Sequence, residues 1–169
     1  MKKTMKIIAM IAILGTTLFL LTGCGEKEET KGDKEKGENE VAYKVTYKGV
    51  DITPGVTFKE GAISEEPGVM ELQSCAFDGA DRVYTYEGVE LTVSEMKGVA
   101  TVYSVYFLDE TVQTKEGVSI SDGKSKMIEA YGEDYEQMMS KYTYQSGDIE
   151  LAFIVENDII ISIEYIYNI

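Results

Sequence analysis

"VYTYEGVELTVSEMKGVATVYSVYFL" (residues 83–108) and "KYTYQSGDIELAFIVENDIIISIEYIYN" (residues 141–168) are two versions of one pattern. Val83-Tyr84-Thr85-Tyr86 matches Lys141-Tyr142-Thr143-Tyr144 at an offset of 58, and beyond the next turn the offset becomes 60. There Val89-Glu90-Leu91 meets Ile149-Glu150-Leu151, and residues 98–108 run without gaps against 158–168. The change of offset reads as two extra residues in the second turn. Val89, Leu91 and Val93 alternate with Glu90, Thr92 and Ser94, and Ile149, Leu151, Phe153 and Val155 repeat the alternation. A period of two belongs to a half-buried strand. The links "YEGV", "SEMKGV", "QSGD" and "VEND" are short and carry the Gly, Asn and Asp that hairpins use. Each copy therefore reads as a three-stranded antiparallel meander, and "IIISIEYIYNI" (159–169) is apolar enough to be a central strand.

Ahead of the second meander, Ser121 or Asp122 is placed to cap a helix whose apolar stripe is Met127, Ile128 and Tyr131 and whose stop is Gly132. Tyr135, Met138 and Met139 read as a further helical turn. In the first copy Gly49-Val50-Asp51-Ile52-Thr53 mirrors Gly117-Val118-Ser119-Ile120-Ser121, but Pro54, Gly55, Pro67 and Gly68 shorten or distort any helix there. The expected fold class is α+β. It consists of two tandem repeats, each a short helical segment followed by a three-stranded antiparallel meander, with the helices on one face of the sheet.

The N-terminus is organised differently. Lys2, Lys3 and Lys6 precede an apolar run from Ile7 to Leu21, which is short for a membrane-spanning helix. Leu21-Thr22-Gly23-Cys24 follows and resembles the lipobox of bacterial lipoproteins. The resemblance implies cleavage after Gly23 and acylation of Cys24, and acyl chains worth about 0.8 kcal/mol per buried methylene hold a protein durably at a bilayer. Residues 25–40 carry seven acids, four lysines and no hydrophobic side chain, a composition that predicts a disordered tether. The expected organisation is a signal peptide over 1–23, the lipidated cysteine and tether over 24–40, and one globular domain over 41–169. Within that domain repeat 1 spans about 43–110 and repeat 2 about 111–169. The expected location is the extracytoplasmic face of a cell membrane.

Over most of 43–169 the layout, with "EGVSISDGKSKMIEAYG", resembles the tandem-repeat fold of the β-lactamase inhibitor protein and of small envelope lipoproteins. "SCAFDGADRVYTY" followed by "TKEGVSI" resembles uncharacterised surface lipoproteins of clostridia. These resemblances imply surface exposure and a sheet able to grip another protein. They transfer no contact residue.

Composition removes several classes of chemistry. The chain has 16 basic and 30 acidic residues, and loss of residues 1–23 takes three lysines and no acids, leaving 13 against 30, a formal charge of −17. Nucleic acid and anionic lipid headgroups need clustered Lys or Arg and are excluded as partners. Absence of histidine removes Ser-His-Asp and Cys-His catalysis and nearly all catalytic zinc sites. "GVSISDGKS" has five residues between Gly117 and Gly123 where a phosphate loop needs four, and "FDGAD" (77–81) has too few spaced oxygens for calcium. No cofactor and no metal are expected. Cys75, the second cysteine, reads as a buried small hydrophobe.

The tyrosines are the candidate recognition residues. Tyr84/Tyr86, Tyr142/Tyr144 and Tyr165/Tyr167 sit two apart, so each pair shares a sheet face. Tyrosine suits both recognition surfaces and strand interiors. The face carrying Tyr84, Tyr86, Tyr142 and Tyr144 is the expected binding face. The expected function is a non-enzymatic module that binds a protein or peptide outside the membrane. A structural envelope scaffold is the alternative, followed by a hydrolase using paired carboxylates.

Overall fold

The computed structural model describes residues 43–74 and 79–168. The expected signal peptide and tether, the residues Leu21, Thr22, Gly23 and Cys24 that resemble a lipobox, and Cys75 lie outside the described residues. A two-residue ladder, β1 (Thr46–Tyr47) with β2 (Val50–Asp51), precedes a single eight-stranded antiparallel sheet. The sheet comprises β3 (Gly68–Gln73), β4 (Ala80–Tyr86), β5 (Val89–Met96), β6 (Val99–Phe107), β7 (Glu136–Met138), β8 (Lys141–Ser146), β9 (Ile149–Glu156) and β10 (Ile159–Tyr167). Helix α1 (Lys124–Tyr131) is the one α-helix among the described residues. The strand order β3-β4-β5-β6-β10-β9-β8-β7 places the two copies back to back.

Both meanders form where the alternation requires, and their tight links adopt the expected left-handed conformations. Lys97-Gly98 and Asn157-Asp158 have positive φ at both turn residues, as a two-residue hairpin loop matched to strand twist demands. The apolar C-terminal run is the central strand β10, flanked by β6 and β9.

Register corrects the expected offset. Tyr84 lies opposite Leu91 and Tyr144 opposite Leu151, so these strands correspond at an offset of 60 throughout, and each turn holds two residues. The Tyr-Thr-Tyr match at 58 is a two-residue slip along the strand. Because side chains alternate with a period of two, such a slip keeps every residue on its own face and leaves no trace in the hydrophobic pattern.

The α+β assignment is overturned: the fold is predominantly β, with one eight-residue helix where a helical segment in each repeat was expected. Glu136, Gln137 and Met138 form edge strand β7 against β8, because helix propensity is a weak preference that ladder pairing overrides. In the first copy Pro54 and Gly55 form a turn closed by Val56 N–H on Thr53 O at 3.1 Å, and this segment hydrogen-bonds to β6, with Gly55 N–H donating to Val102 O at 2.8 Å and Val102 N–H to Val56 O at 3.0 Å. The second copy repeats this device ahead of its helix, where Ser121 N–H donates to Ile160 O at 2.9 Å and Ile160 N–H to Asp122 O at 2.8 Å. β6 and β10 therefore pair with each other only over residues 104–106 and 164–166, and each then takes up its own repeat's lead-in segment. At the centre of that seam Val105 faces Tyr165, its own counterpart at offset 60. A pseudo-twofold axis passes between them.

Across the covered face runs the row Tyr84, Leu91, Val105, Tyr165, Leu151, Tyr144, none more than 3% exposed. Loop residues cover the first half of the sheet: Ile52, Phe58 and Ile63 are buried, and the Phe58 ring stands 4.7 Å from that of Tyr84. The second half is covered by α1, whose Met127 is fully buried and whose Tyr131 ring lies 5.4 Å from Tyr144 and 5.5 Å from Phe153. Neither Ser121 nor Asp122 caps this helix. Gly123 occupies the N-cap without a side-chain bond, while the Asp122 carboxylate accepts from Ser119 N–H at 2.7 Å and from Lys126 Nζ at 2.7 Å.

Candidate functional site

The four tyrosines expected on a binding face lie in the core. Tyr84, Tyr86, Tyr142 and Tyr144 are between 2% and 6% exposed, on the face that the loops and helix cover. Two of their hydroxyls are also engaged internally. Tyr142 OH accepts from Lys124 Nζ at 2.8 Å, with that ammonium 4.4 Å from the ring centre, and Tyr144 OH donates to Gly132 O at 2.8 Å. The (i, i+2) spacing shows correctly that each pair shares a face. It carries no information about which face is covered, and aromatic strand residues suit either.

The opposite face is open, and its residues are those that alternate with the core set. Along one row, Thr85, Glu90, Tyr106, Glu164, Ala152 and Thr143 lie opposite one another in sequence across five strand pairings. In the next row Thr92, Ser104, Ile166 and Glu150 are neighbours in the same way. Ser104 and Ala152 are buried although no element covers them, so small side chains form the floor between the larger Tyr106, Glu164 and Ile166. This surface crosses the β6–β10 seam, and both repeats contribute to it.

Electrostatically the site is acidic. Glu90 and Glu164 flank Tyr106 on its two neighbouring strands, and Glu150 accepts from Lys141 Nζ at 2.7 Å. Burial pushes the pKa of Glu164 above the usual carboxylate value. The charges of Glu150 and Glu90 push the same way, while a hydrogen bond with Ser104 and the charge of Lys141 oppose them. A half-buried carboxylate next to a phenol in such surroundings accepts hydrogen bonds from a donor-rich partner, and it gains when that partner brings positive charge. The surface is an open sheet face, without the enclosing walls of a catalytic cleft.

A separate cleft of about 400 Å³ lies where the lead-in to repeat 1 meets the β8–β9 turn, lined by Lys44, Asp51, Thr53, Gly55, Asp148 and Tyr167 among others. Burial opposes ionisation of Asp51. Hydrogen bonds from the Thr53 hydroxyl at 2.6 Å and N–H at 3.0 Å, together with Lys44 at 3.3 Å, outweigh it and hold the pKa below its ordinary value. Lys44, Asp51 and Thr53 of this cleft are thus committed to one another. Among the described residues no group of three or more His, Cys, Asp or Glu side chains is placed to hold a metal ion. Asp81 of "FDGAD" instead accepts from Ser94 Oγ at 2.6 Å. No described helix is long and apolar enough to cross a membrane.

Comparison with protein-family models, with curated proteins and with solved structures finds no match.

The open face was legible in part. Glu90, Thr92, Glu150 and Glu164 stand at the polar phase of each strand, which marks the less buried face. Tyr106 and Ile166 break that phase. Large apolar groups among polar positions were the available signal for a recognition surface.

Proposed function

We propose that this chain is a lipoprotein anchored through Cys24 to the extracytoplasmic side of a cell membrane, and that its domain binds a protein or peptide with the open face of its sheet. The lipobox Leu21-Thr22-Gly23-Cys24 supports the anchor. The observation that carries the binding role is the uncovered row Glu90-Tyr106-Glu164, which spans the seam between the repeats and places a tyrosine between two carboxylates. Aromatic groups supply contact area with little entropy to lose, and a rim of charge sets orientation. The role is binding without chemistry, because the carboxylates stand on an open surface that does not exclude water from a reacting group.

Two experiments separate the halves of this reading. Detergent phase partitioning should place the chain in the detergent phase and its Cys24→Ala variant in the aqueous phase; identical behaviour of the two removes the anchor. A photoreactive phenylalanine analogue at position 106 of the full chain should give one discrete adduct on irradiation of intact cells, and the same analogue at buried position 84 should give none. Equal labelling from both positions would reject the open face as the binding surface.

A further inference from the structure

The eight-stranded sheet ends on two edges that are built differently. β7 is three residues long and stops at Met139, whose φ of 54 turns the chain into β8. β3 runs six residues in unbroken register with β4, from Gly68 opposite Thr85 to Gln73 opposite Ala80. All six residues are exposed, with Val69 at 53%, Met70 at 60% and Leu72 at 47%. Among the described residues β3 pairs with β4 alone. It holds no proline, no lysine and no bulge, devices that keep a bare edge from pairing, and its one charged side chain, Glu71, is paired with Arg82 of β4.

We propose that β3 is a homodimerisation edge, which pairs antiparallel with β3 of a second copy about a twofold axis through Met70. The register follows from which residues must face each other. A sheet that continues across the joint with its covered and open faces aligned places residues of equal parity opposite one another. Centring on Glu71 sets two carboxylates opposite, which destabilises a pair. Centring on Val69 draws Pro67 into the ladder, where it has no N–H to donate. Centring on Leu72 keeps only Glu71 to Gln73 of the strand in the ladder. Centring on Met70 avoids all three faults and pairs the strand from Gly68 to Leu72: Met70 meets Met70 of the partner subunit, Gly68 meets Leu72 of the partner subunit, and Val69 meets Glu71 of the partner subunit. Glu71 comes to that joint already paired with Arg82 at 3.2 Å.

A second copy is the fitting occupant for two further reasons. The chain already contains a joint of this kind, since β6 and β10 meet antiparallel about an axis between equivalent residues. The assembly also closes. Among the described residues, a dimer joined through β3 leaves the short β7 as the one open edge of the large sheet in each copy, so the sheet does not propagate into a fibre.

Disulfide trapping tests the register in the full chain. With Cys75→Ser as the parent, Met70→Cys brings two thiols together at a Cα separation of about 4.5 to 5.5 Å, within the range a disulfide accepts. Leu72→Cys, displaced by four residues from its own copy, leaves them at least about 13 Å apart. Mild copper-catalysed oxidation of membranes should double the apparent mass of the Met70→Cys chain on a non-reducing gel and leave Leu72→Cys and the parent at monomer mass. Equal dimer from both cysteines means random collision and overturns the proposal. Monomer from Met70→Cys overturns it as well: maleimide labelling of that thiol then shows a bare edge, and protection from labelling shows an edge held by something else. None of these outcomes depends on what the open face binds.

Discussion

Glu164 is the residue at which the proposed binding role and stability pull in opposite directions. Its folded pKa is raised, chiefly by burial, so between the ordinary carboxylate value and the folded one the native state binds more protons than the unfolded chain. Stability is then lost as pH rises through that window. Glu164→Gln removes the effect, and its denaturant midpoint should fall less than the parent's between mildly acidic and neutral pH and lie above the parent's at pH 7. A parent that instead gains stability over this interval would show that the carboxylate is better solvated than its surroundings suggest. Glycines give a second contrast at the same scale. Gly88 and Gly98 share φ values of 78, but a Cβ on Gly88 would stand 2.5 Å from Thr111 Oγ1 and 2.9 Å from Val112 Cγ2, whereas one on Gly98 meets nothing within 4 Å. Gly88→Ala should cost about 2 to 4 kcal/mol, from a strained backbone and from overpacking. Gly98→Asn should cost under about 1 kcal/mol, because asparagine tolerates the left-handed region. Chemical denaturation of the two variants decides it.

At the scale of elements, legibility followed the strength of the local signal. Strands β5 and β9 were readable from their alternation, and the other four meander strands from the internal repeat and the short turns that bound them. The helix was readable from Met127 and Tyr131, but its start was not. Neither candidate cap occupies the N-cap position: the Asp122 carboxylate is engaged locally by Ser119 and Lys126, and the backbone of Ser121 pairs with β10. Edge strands β3 and β7 gave no alternation to read, since neither face of an edge strand needs to be buried. The vacant cap yields a prediction. Gly123 has extended backbone geometry, and a Cβ there meets only Ser125 Oγ at 3.5 Å and Asp158 O at 3.8 Å. Gly123→Ser should therefore stabilise the fold by about 0.5 to 1 kcal/mol, through a new cap bond and lower unfolded-state entropy. An unchanged thermal midpoint would mean that the serine does not reach the helix N–H groups.

For the whole molecule, the sheet was foreseeable and its coverage was not. One carboxylate ties three separate parts of the first half together. Glu65 accepts from Tyr47 OH at 2.9 Å, from Lys48 Nζ at 2.6 Å and from Glu87 N–H at 2.8 Å, and so joins the loop before β3 to the β1–β2 ladder and the β4–β5 turn. The hydrogen bond from Lys48 leads the causes that hold its pKa below the usual value. The stability it contributes is present above the ordinary carboxylate range and lost as pH falls through the depressed one. The acid limb of the parent's stability profile should thus be steeper than that of Glu65→Gln, measured by urea midpoints from neutral to low pH. Parallel profiles would show that the clasp contributes nothing in solution.

The meeting of Val105 with Tyr165 has a consequence for how freely the two halves can diverge. In a dimer of identical strands, the residue on the axis must fit against itself, and every substitution is felt twice. Covalent continuity lifts that restriction: a small aliphatic group now sits against a large phenol, with Ser104 beside Ile166 and Tyr106 beside Glu164. No like pair remains at the joint. One half can carry the bulk and the other the space for it, so a lopsided surface becomes available to a sheet whose strand order is symmetric.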